Sequence, residues 1–259
     1  MLVNAGPARA ALDLRALRAA AGPQWEVRLH AEAGSTNQLA AADPVRHRIV
    51  VADHQQAGRG RLDRQWVTPP GAALTFSAVF DPVVEPEWWP VVPLVAGYAV
   101  AGTLGGDATL KWPNDVLIGD RKVGGILVER VNTRPPMVVI GIGINVDQTA
   151  EELPVPTATS LALEGRAVDR TELFGDVVSS LRLWLGQFAA HPSTFVDQYR
   201  GRSATLDREV RVELPGDRTV EGRVTDIDAH GRLVLETATG QLTLSAGDVV
   251  HLRPRGVSP

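Results

Sequence analysis

The pattern of hydrophobic and polar positions indicates both helices and strands before residue 202. Helices are predicted where apolar residues recur every three or four positions, and strands where they form short buried runs. The predicted helices lie within residues 1–24 and at 38–42, 91–104, 171–188 and 193–199. The predicted strands lie at 25–29, 48–53, 74–80, around 110, and at 116–119, 122–131 and 137–146. This mixture predicts an α+β domain with a mixed sheet and flanking helices.

From about Arg202 the pattern changes to short runs of alternating apolar and polar residues. The runs lie at 210–214, 219–227, 233–237 and 241–245. Turns containing Gly216 and Gly231 separate them, and such a series is typical of a small β-barrel or sandwich. We therefore predict three segments: an N-terminal helical lead at 1–24, the α+β domain at 25–201 and a β domain at 202–259.

The composition excludes several classes of protein. The chain of 259 residues has no cysteine, which excludes a disulfide framework, a thiolate nucleophile and a cysteine zinc site. The formal net charge of −4 argues against a protein that coats nucleic acid or a membrane surface. No apolar run approaches the roughly 20 residues that span a bilayer, and no signal peptide is recognisable. We expect a cytoplasmic protein.

Lysine is scarce in this chain. Of 26 basic residues only Lys111 and Lys122 are lysine, and the remainder are arginine, as GC-rich coding favours. A compact ammonium can approach a carboxylate or phosphate as a point charge, whereas the planar guanidinium needs more room. Because the two lysines lie in one Gly-rich stretch, we expect them at positions where arginine cannot serve.

A Gly-Arg motif, QQAGRGR at 55–61, precedes Arg64 and Trp66. Two glycines allow the backbone to approach an anion while the arginine side chains supply charge. A solvated basic turn would have the same sequence. The spacing matches neither a Walker loop nor a dinucleotide-binding fingerprint.

A second polar motif, KWPND at 111–115, follows a buried strand and is succeeded by DRKVGG at 120–125. It gathers a cation, an amide and a carboxylate at a strand end. The hairpin that follows can fold Lys122 back toward the same place. Alone, the second half of the motif would indicate an ordinary charged β-turn.

Two further motifs have a functional and a structural interpretation. In GIGINV at 141–146, alternating glycines let another group lie close to the strand, or simply relieve crowding in a sheet. Asn145 can donate and accept, which suits the edge of a purine. GSTN at 34–37 offers donors and acceptors for a polar heterocycle such as a ureido ring, although these residues are also common helix caps.

Taken together and in this order, GSTN, QQAGRGR with its following Trp, KWPND, RKVGGILVE and GIGINV resemble the motif series of biotin protein ligases. The resemblance implies a class II synthetase-like biotin/lipoate ligase catalytic domain and an SH3-like β-barrel at the C-terminus. It implies that biotin and Mg²⁺-ATP form biotinyl-5′-AMP. Biotin then passes to a lysine of a biotin carboxyl carrier domain of an acetyl-CoA, related acyl-CoA or pyruvate carboxylase.

The resemblance also assigns residues, although it leaves the metal ligands unknown. The catalytic residues are expected to be Lys122, Arg61, Lys111 and Asp115. The biotin-binding residues are expected to be Ser35, Thr36, Asn37, Gln55, Arg59, Gly60, Arg61, Lys122 and Gly125. The ATP-binding residues are expected to be Arg59, Arg61, Arg64, Trp66, Lys111, Asn114 and Asn145. Lys122 is the first choice for the cation at the biotin carboxylate and the phosphate.

Two departures from the family pattern bear on partners. Fewer than 30 residues precede the strand before GSTN, too few for the winged-helix domain of bifunctional members, so no DNA partner is expected. We expect a monomer or a weak homodimer. The Gly-Arg motif continues as Leu62-Asp63, where the family pattern has a further basic residue and a glycine.

Four alternatives remain open. A lipoate–protein ligase shares the fold but lacks the GRGR and KWPND series, and an octanoyl transferase requires a thiol that this chain does not have. A biotin-responsive transcription factor is disfavoured by the short N-terminus. A sensor that binds adenylate without catalysis is disfavoured by the presence of both lysines.

Overall fold

The computed structural model describes residues 9–61, 64–81 and 84–252. Their contacts define two compact units. The first unit contains the described residues up to 81 and residues 129–178, and the second contains those of 84–128 and 179–252. The boundaries expected at residues 25 and 202 stay a prediction.

Five α-helices and fourteen strands occur in the described part of the chain. The helices are α1 Leu14–Ala21, α2 Thr36–Ala42, α3 Val92–Leu104, α4 Arg170–Ala190 and α5 Phe195–Arg200. The strands are β1 Glu26–Ala33, β2 Arg48–Gln55, β3 Gly58–Arg59, β4 Gln65–Trp66, β5 Ala73–Phe80, β6 Ala108–Lys111, β7 Asp115–Ile118, β8 Arg121–Val131, β9 Met137–Asn145, β10 Glu209–Leu214, β11 Arg218–Ile227, β12 Leu233–Thr237, β13 Gly240–Leu244 and β14 Asp248–His251. Short 3-10 helices lie at Pro86–Val91 and Pro192–Thr194.

The predicted helices and strands are present with shifted ends, and three features were not predicted. The 3-10 helix Pro86–Val91, the β3–β4 ladder and β14 are too short to show a hydrophobic period. The first strand continues beyond its predicted end because β1 pairs in parallel with β2 as far as Ala33 and Gln55. The part of the predicted N-terminal helix before residue 9 lies outside the described residues.

In the first unit, β1, β2, β5 and β9 lie side by side in that order. The β1–β2 pair is parallel, whereas β2–β5 and β5–β9 are antiparallel, so the sheet is mixed as predicted. Helix α2 packs on the sheet, and its Ala40 lies in a buried cluster with Val50, Val79 and Val139. β2 and β5 are almost continuously buried, which explains their apolar sequences.

In the second unit, β6, β7 and β8 form an antiparallel meander, and α3 packs against β6 and β7. Gly97 of α3 faces Leu110 of β6, where a Cβ would make an ordinary van der Waals contact at 3.4 Å. The C-terminal strands form a five-stranded antiparallel sheet in the order β13-β12-β11-β10-β14. The predicted turns at Gly216 and Gly231 both adopt positive φ. The predicted α+β class, with a mixed sheet, flanking helices and a C-terminal β domain, is therefore confirmed, and the C-terminal strands are seen as a five-stranded antiparallel sheet without a closed barrel in the described residues.

None of the helices in the described part of the chain combines the length and the apolar character needed to cross a membrane.

Candidate functional site

A buried polar cluster in the first unit joins the start of α2 to the end of β2. Ser35 caps α2, its Oγ accepting a hydrogen bond from the Gln38 backbone N–H at 3.4 Å. The backbone N–H and the hydroxyl of Thr36 both donate to Gln55 Oε1, at 2.9 and 3.1 Å. Ser35, Thr36 and Gln55 are at most 5% exposed. Three of the predicted biotin-binding residues therefore form one arrangement, in which Ser35 also has the structural role of a cap.

Asn37 belongs to the same cluster, and both the oxygen and the nitrogen of its side-chain amide are hydrogen-bonded. Its Oδ1 lies 2.5 Å from Ser77 Oγ, and its Nδ2 donates to Glu129 Oε2 at 2.7 Å. Ser77 Oγ also lies 2.7 Å from the Thr36 hydroxyl. Gly141 on β9 faces Asn37 so closely that a Cβ there would collide with the amide oxygen. Ser77 and Glu129 therefore fix the orientation of the predicted binding residues.

The Gly-Arg motif forms a short β-ladder in which Gly58 is opposite Trp66 and Arg59 is opposite Gln65. A Cβ on Gly58 would collide with the side chain of Gln55, so only glycine fits beside the polar cluster. A Cβ on Gly143 would lie 2.6 Å from the Trp66 ring. The second glycine of GIGINV thus makes room for the tryptophan that was predicted to pack against the adenylate.

The turn of this motif is closed by backbone hydrogen bonds. The Gly60 N–H donates to Arg64 O at 2.6 Å, and the Arg64 N–H donates to Arg61 O at 3.2 Å. Arg61 is half-buried, whereas Arg64 is exposed. Leu62-Asp63, at which this sequence departs from the family pattern, lies outside the described residues.

Arg59 is held by side chains that flank the polar cluster. Its Nη1 lies 4.0 Å from Glu129 Oε1, and both side chains are partly exposed. The Gln38 amide, oriented with its oxygen toward the guanidinium, accepts from Arg59 Nε at 3.2 Å and from Nη2 at 2.8 Å. Glu129 is therefore shared between Asn37 and Arg59 of the Gly-Arg motif.

Asn145, predicted to contact adenine, is 5% exposed at the end of β9. Its Nδ2 donates to Thr159 O at 2.9 Å, and its Oδ1 accepts from Gln148 Nε2 at 2.9 Å. These bonds hold together the segment that follows β9. Contact with a purine stays a prediction.

The two lysines of the chain meet one carboxylate in the second unit. The β6–β7 pairing puts Lys111 opposite Asp115, and Lys122 lies on β8. Lys122 Nζ is 2.5 Å from Asp115 Oδ1, and Lys111 Nζ is 3.9 Å from Asp115 Oδ2. The prediction that the hairpin folds Lys122 back toward KWPND is confirmed.

The environment of this lysine cluster (Lys111, Asp115 and Lys122) favours an anion. Asp115 is only 9% exposed, whereas both lysine side chains remain partly accessible to solvent. Burial, and then the negative charge of Asp115, raise the pKa of the Tyr199 hydroxyl, which keeps that group neutral. The cluster carries one more positive than negative charge, which attracts an anion.

Asn114 and Gly125 lie in the backbone beside the lysine cluster. Asn114 Nδ2 donates to Ile126 O at 3.1 Å, and the Ile126 N–H donates to Asn114 O at 2.9 Å. Gly125 is opposite Asp115 in the β7–β8 pairing. Asn114 therefore fixes the backbone beside the lysine cluster, and Gly125 leaves the strand without a side chain there.

Comparison with known proteins places the chain in a family. Residues 33–145 match the family model of the biotin/lipoate A/B protein ligases, and residues 205–252 match that of the biotin protein ligase C-terminal domain. The biotin–[acetyl-CoA-carboxylase] ligase of Mycobacterium tuberculosis is 39% identical over 264 residues, which cover 95% of this chain and 97% of that protein. The chain belongs to the biotin protein ligases.

Two more comparisons agree with this membership. The biotin–[acetyl-CoA-carboxylase] ligase of Paracoccus denitrificans is 32% identical over 222 residues, covering 77% of this chain and 88% of that protein. The structure of the Aquifex aeolicus biotin protein ligase in complex with biotin and ATP matches with a TM-score of 0.76 and 28% identity. That match covers 88% of this chain and 99% of the Aquifex chain.

Sequence reasoning missed two residues of the polar cluster of this biotin protein ligase. Ser77 is one of two hydroxyl residues, with Thr75, in the otherwise apolar run ALTFSAVF and is 0% exposed. A polar residue in a predicted buried strand is a usable signal, because such a group must find a partner. Glu129 follows the apolar ILV of its motif but gave no such signal, since its partners come from residues distant in sequence.

Proposed function

We propose that this chain is an ATP-dependent biotin protein ligase. It would form biotinyl-5′-AMP and then transfer biotin to a lysine of a biotin carboxyl carrier domain of an acyl-CoA or pyruvate carboxylase. The observation that best supports the proposal is the gathering of Lys111 and Lys122, the only lysines in the chain, at the Asp115 carboxylate. Two relatives are named biotin–[acetyl-CoA-carboxylase] ligases, and a structural neighbour is a complex with biotin and ATP.

The first step brings two anions together. A carboxylate oxygen of biotin attacks the α-phosphorus of ATP, the bond to the β-phosphate oxygen breaks, and pyrophosphate leaves. Lys122 is assigned to the biotin carboxylate and the α-phosphate, because a fixed cation stabilises charge where it develops. Lys111 and Asn114 are assigned to the nucleotide phosphates.

The polar cluster is assigned to the biotin ring and its surroundings. Ser35, Thr36, Asn37 and Gln55 supply hydroxyl and amide groups, and Ser77 holds two of them in place. Groups that are ordered before the ligand arrives lose little conformational entropy on binding. Binding of the ureido ring then requires exchange of hydrogen bonds rather than ordering of side chains.

The second step needs protection from water. The amine of the acceptor lysine attacks the carbonyl carbon of biotinyl-5′-AMP, the bond to the phosphate oxygen breaks, and AMP leaves. Arg59, Gly60 and Arg61 are assigned to cover the anhydride, because exclusion of water prevents its hydrolysis. The attacking nitrogen gives up a proton to solvent as the amide forms, and Asp115 is assigned to a position near the incoming lysine of the acceptor.

Magnesium enters the proposal only with ATP. The described residues contain no group of three His, Cys, Asp or Glu side chains placed to hold a metal ion. Mg²⁺ usually keeps several waters and binds through substrate phosphates with one or two carboxylates. Asp115 lies beside both assigned lysines, but it is already paired with Lys122.

A transfer assay tests the function. The protein is incubated with ATP, Mg²⁺, an apo carrier domain and either labelled biotin or labelled lipoate. We expect label on the carrier domain from biotin and not from lipoate. Transfer of lipoate alone would support a lipoate ligase, and binding of operator-like DNA without any transfer would support a regulator.

The finer features of the proposal concern partners and location. We propose that the protein does not bind DNA, is a monomer or weak homodimer, and resides in the cytoplasm. The formal net charge of −4 supports the first point, since DNA binding requires neutralisation of phosphates. Gel-shift, light-scattering and cell-fractionation measurements test the three points separately.

Replacement of Lys122 tests the central assignment. Lys122→Arg keeps the charge but introduces a planar fork where the ammonium lies 2.5 Å from Asp115. We expect the rate of pyrophosphate release with biotin and ATP to fall about 10²-fold or more. Arg121→Lys, an exchange on the adjacent exposed residue, is the matched control and should retain the wild-type rate. Near-full adenylation by Lys122→Arg would refute the assignment.

A further inference from the structure

Thr205 holds the backbone of the KWPND turn from far along the chain. It lies in the segment between α5 and β10 and is 0% exposed. Its Oγ1 accepts a hydrogen bond of 3.0 Å from the backbone N–H of Trp112, 93 residues away in sequence. Trp112 directly follows Lys111, so this bond acts on the residue next to one of the two lysines.

Two other sets of hydrogen bonds join the residues beside Lys111 to the C-terminal part of the second unit. The Leu110 N–H donates to Arg202 O at 2.9 Å, and the Ala204 N–H donates to Leu110 O at 2.8 Å. The indole N–H of Trp112, a residue only 2% exposed, donates to Gly231 O at 2.8 Å. The residues before and after Lys111 are therefore both held by the segment from 202 to 231.

A second contact joins the Thr205 hydroxyl to the last described strand. His251 Nε2 on β14 lies 3.3 Å from Thr205 Oγ1. A hydroxyl oxygen has one hydrogen and two lone pairs, so Oγ1 can bond to His251 while it accepts from Trp112. With the imidazole proton on Nδ1 the hydroxyl donates to Nε2, and with the proton on Nε2 the imidazole donates to Oγ1.

The surroundings of His251 favour its neutral form. Burial, followed by the positive charges of Lys111 and Arg208, lowers the pKa of His251 to about 4, against the opposing effect of Asp120. At neutral pH the imidazole is therefore uncharged, and either tautomer can share a hydrogen bond with the Thr205 hydroxyl. The hydrogen bonds run from Trp112 through Thr205 to the last described strand of the β domain.

We propose that Thr205 is a positioning residue for Lys111, and that support of this lysine is a task of the C-terminal β domain. The inference rests on the proposed function, in which Lys111 binds the nucleotide phosphates. Loss of the Thr205 hydroxyl leaves the buried Trp112 N–H without its acceptor, which favours rearrangement of the turn. Lys111 Nζ, 3.9 Å from Asp115, would then leave the position at which it meets the nucleotide.

A pair of substitutions separates the hydroxyl from the shape of the residue. Thr205→Val has nearly the same shape but cannot accept from Trp112, whereas Thr205→Ser retains the hydroxyl. For Thr205→Val we expect the KM for ATP to rise about tenfold or more, because a misplacement of about 1 Å can cost that much. The KM for biotin should stay within about twofold of wild type, and Thr205→Ser should recover most of the ATP affinity.

A second pair provides the same test at a less buried position. His251→Gln retains an amide that can donate to or accept from the Thr205 hydroxyl, whereas His251→Leu removes the polar partner. If Thr205→Val does not fold, we expect His251→Leu to raise the KM for ATP selectively and His251→Gln to resemble wild type. Thermal unfolding of each variant confirms that the measurements are made on folded protein.

The outcomes are distinguishable. Unchanged ATP affinity in both Thr205→Val and His251→Leu would overturn the inference. A rise in both KM values by the same factor would also overturn it, since general loss of structure does not select ATP. If the wild-type protein itself failed to transfer biotin, the proposed function would fail instead.

Discussion

At the scale of single residues, Asn37 and Glu129 form an amide–carboxylate pair at 2.7 Å. A hydrogen bond to a carboxylate is stronger than one between neutral groups. Asn37→Asp would place two carboxylates against each other, and like charges at this distance repel strongly. We expect the KM for biotin to rise about tenfold and the protein to lose about 1–3 kcal/mol of stability. Biotin titration of the adenylation rate and urea unfolding measure the two effects.

The double variant Asn37→Asp with Glu129→Gln exchanges donor and acceptor and restores the hydrogen bond. We expect it to recover much of the biotin affinity and the stability that Asn37→Asp loses. The two substitutions would then be non-additive in a double-mutant cycle. Glu129→Gln alone keeps an acceptor for Asn37 but removes the charge that faces Arg59. Simple additivity of the two single effects would show that the pair is not coupled.

The chemistry of the motif residues could be predicted from sequence, whereas their partners could not. Lys111 and Lys122 were found because lysine is scarce and both lie in one stretch, Asp115 was found through the KWPND motif, and the structure joins the three. Thr205 gave no signal, because it is a short-chain polar residue in a segment without periodicity. Its importance arises only from the fold, which brings it to the Trp112 N–H.

At the scale of elements, β9 carries two glycines that make room for different neighbours. A Cβ on Gly141 would meet Asn37, and a Cβ on Gly143 would meet the Trp66 ring. Residues two apart on a strand lie on the same face, so both glycines serve the same side of the sheet. We expect Gly141→Ala to raise mainly the KM for biotin and Gly143→Ala mainly the KM for ATP. Each should lose about 1–3 kcal/mol from overpacking.

The residue between these glycines provides the control. Ile142 is buried on the opposite face, and Ile142→Val should cost about 0.5–1.5 kcal/mol without a selective effect on either KM. If Gly141→Ala and Gly143→Ala each raised the KM values for biotin and ATP by the same factor, the assignment of Gly141 to the biotin site and Gly143 to the ATP site would be wrong.

The turn of the Gly-Arg motif has its own test. Arg61 is half-buried and Arg64 is exposed in a turn closed by the Gly60–Arg64 hydrogen bond. We expect Arg61→Gly to weaken the cover over the anhydride, so that much of the biotinyl-5′-AMP is released and labels unrelated proteins. Arg64→Gly, the matched change in the same turn, should retain the intermediate better. Filtration followed by chromatography of the filtrate measures the release.

Long elements could be predicted from sequence, and short ones could not. β5 and β9 have apolar runs long enough to be recognised as strands, and both begin and end within one residue of their predicted bounds. β3 and β4 have two residues each, so no periodicity exists to detect. Their pairing depends on the close approach allowed by Gly58, which is visible only in three dimensions.

At the scale of the whole molecule, the pKa of His251 links stability to pH. Its folded-state pKa of about 4 lies below the ordinary value of 6.5, so protonation favours the unfolded chain. The contribution is fully present above pH 6.5 and is lost as the pH falls from 6.5 toward about 4. We expect urea midpoints to decrease over this range by more in wild type than in His251→Gln. Identical decreases in the two proteins would contradict this prediction.

The sequence predicts domains as continuous stretches, and their boundaries stay a prediction, whereas the compact units of the described residues are discontinuous. Each unit combines two separate stretches of chain, and α4 and β8 contribute residues to both. Periodicity along the chain reports local structure and cannot reveal which distant stretches pack together. The contacts of Trp112 with Thr205 and Gly231 are therefore the kind of feature that sequence reasoning misses.

The pairing of both lysines with Asp115 has a consequence for self-modification. An acyl-adenylate acylates amines, and most proteins display many lysines on their surface. This chain offers two lysine side chains besides its N-terminal amino group, and both ammonium groups lie at a carboxylate. A leaking variant should therefore label its neighbours far more than itself, and the intact mass of the enzyme should remain almost unchanged while bystander proteins gain biotin.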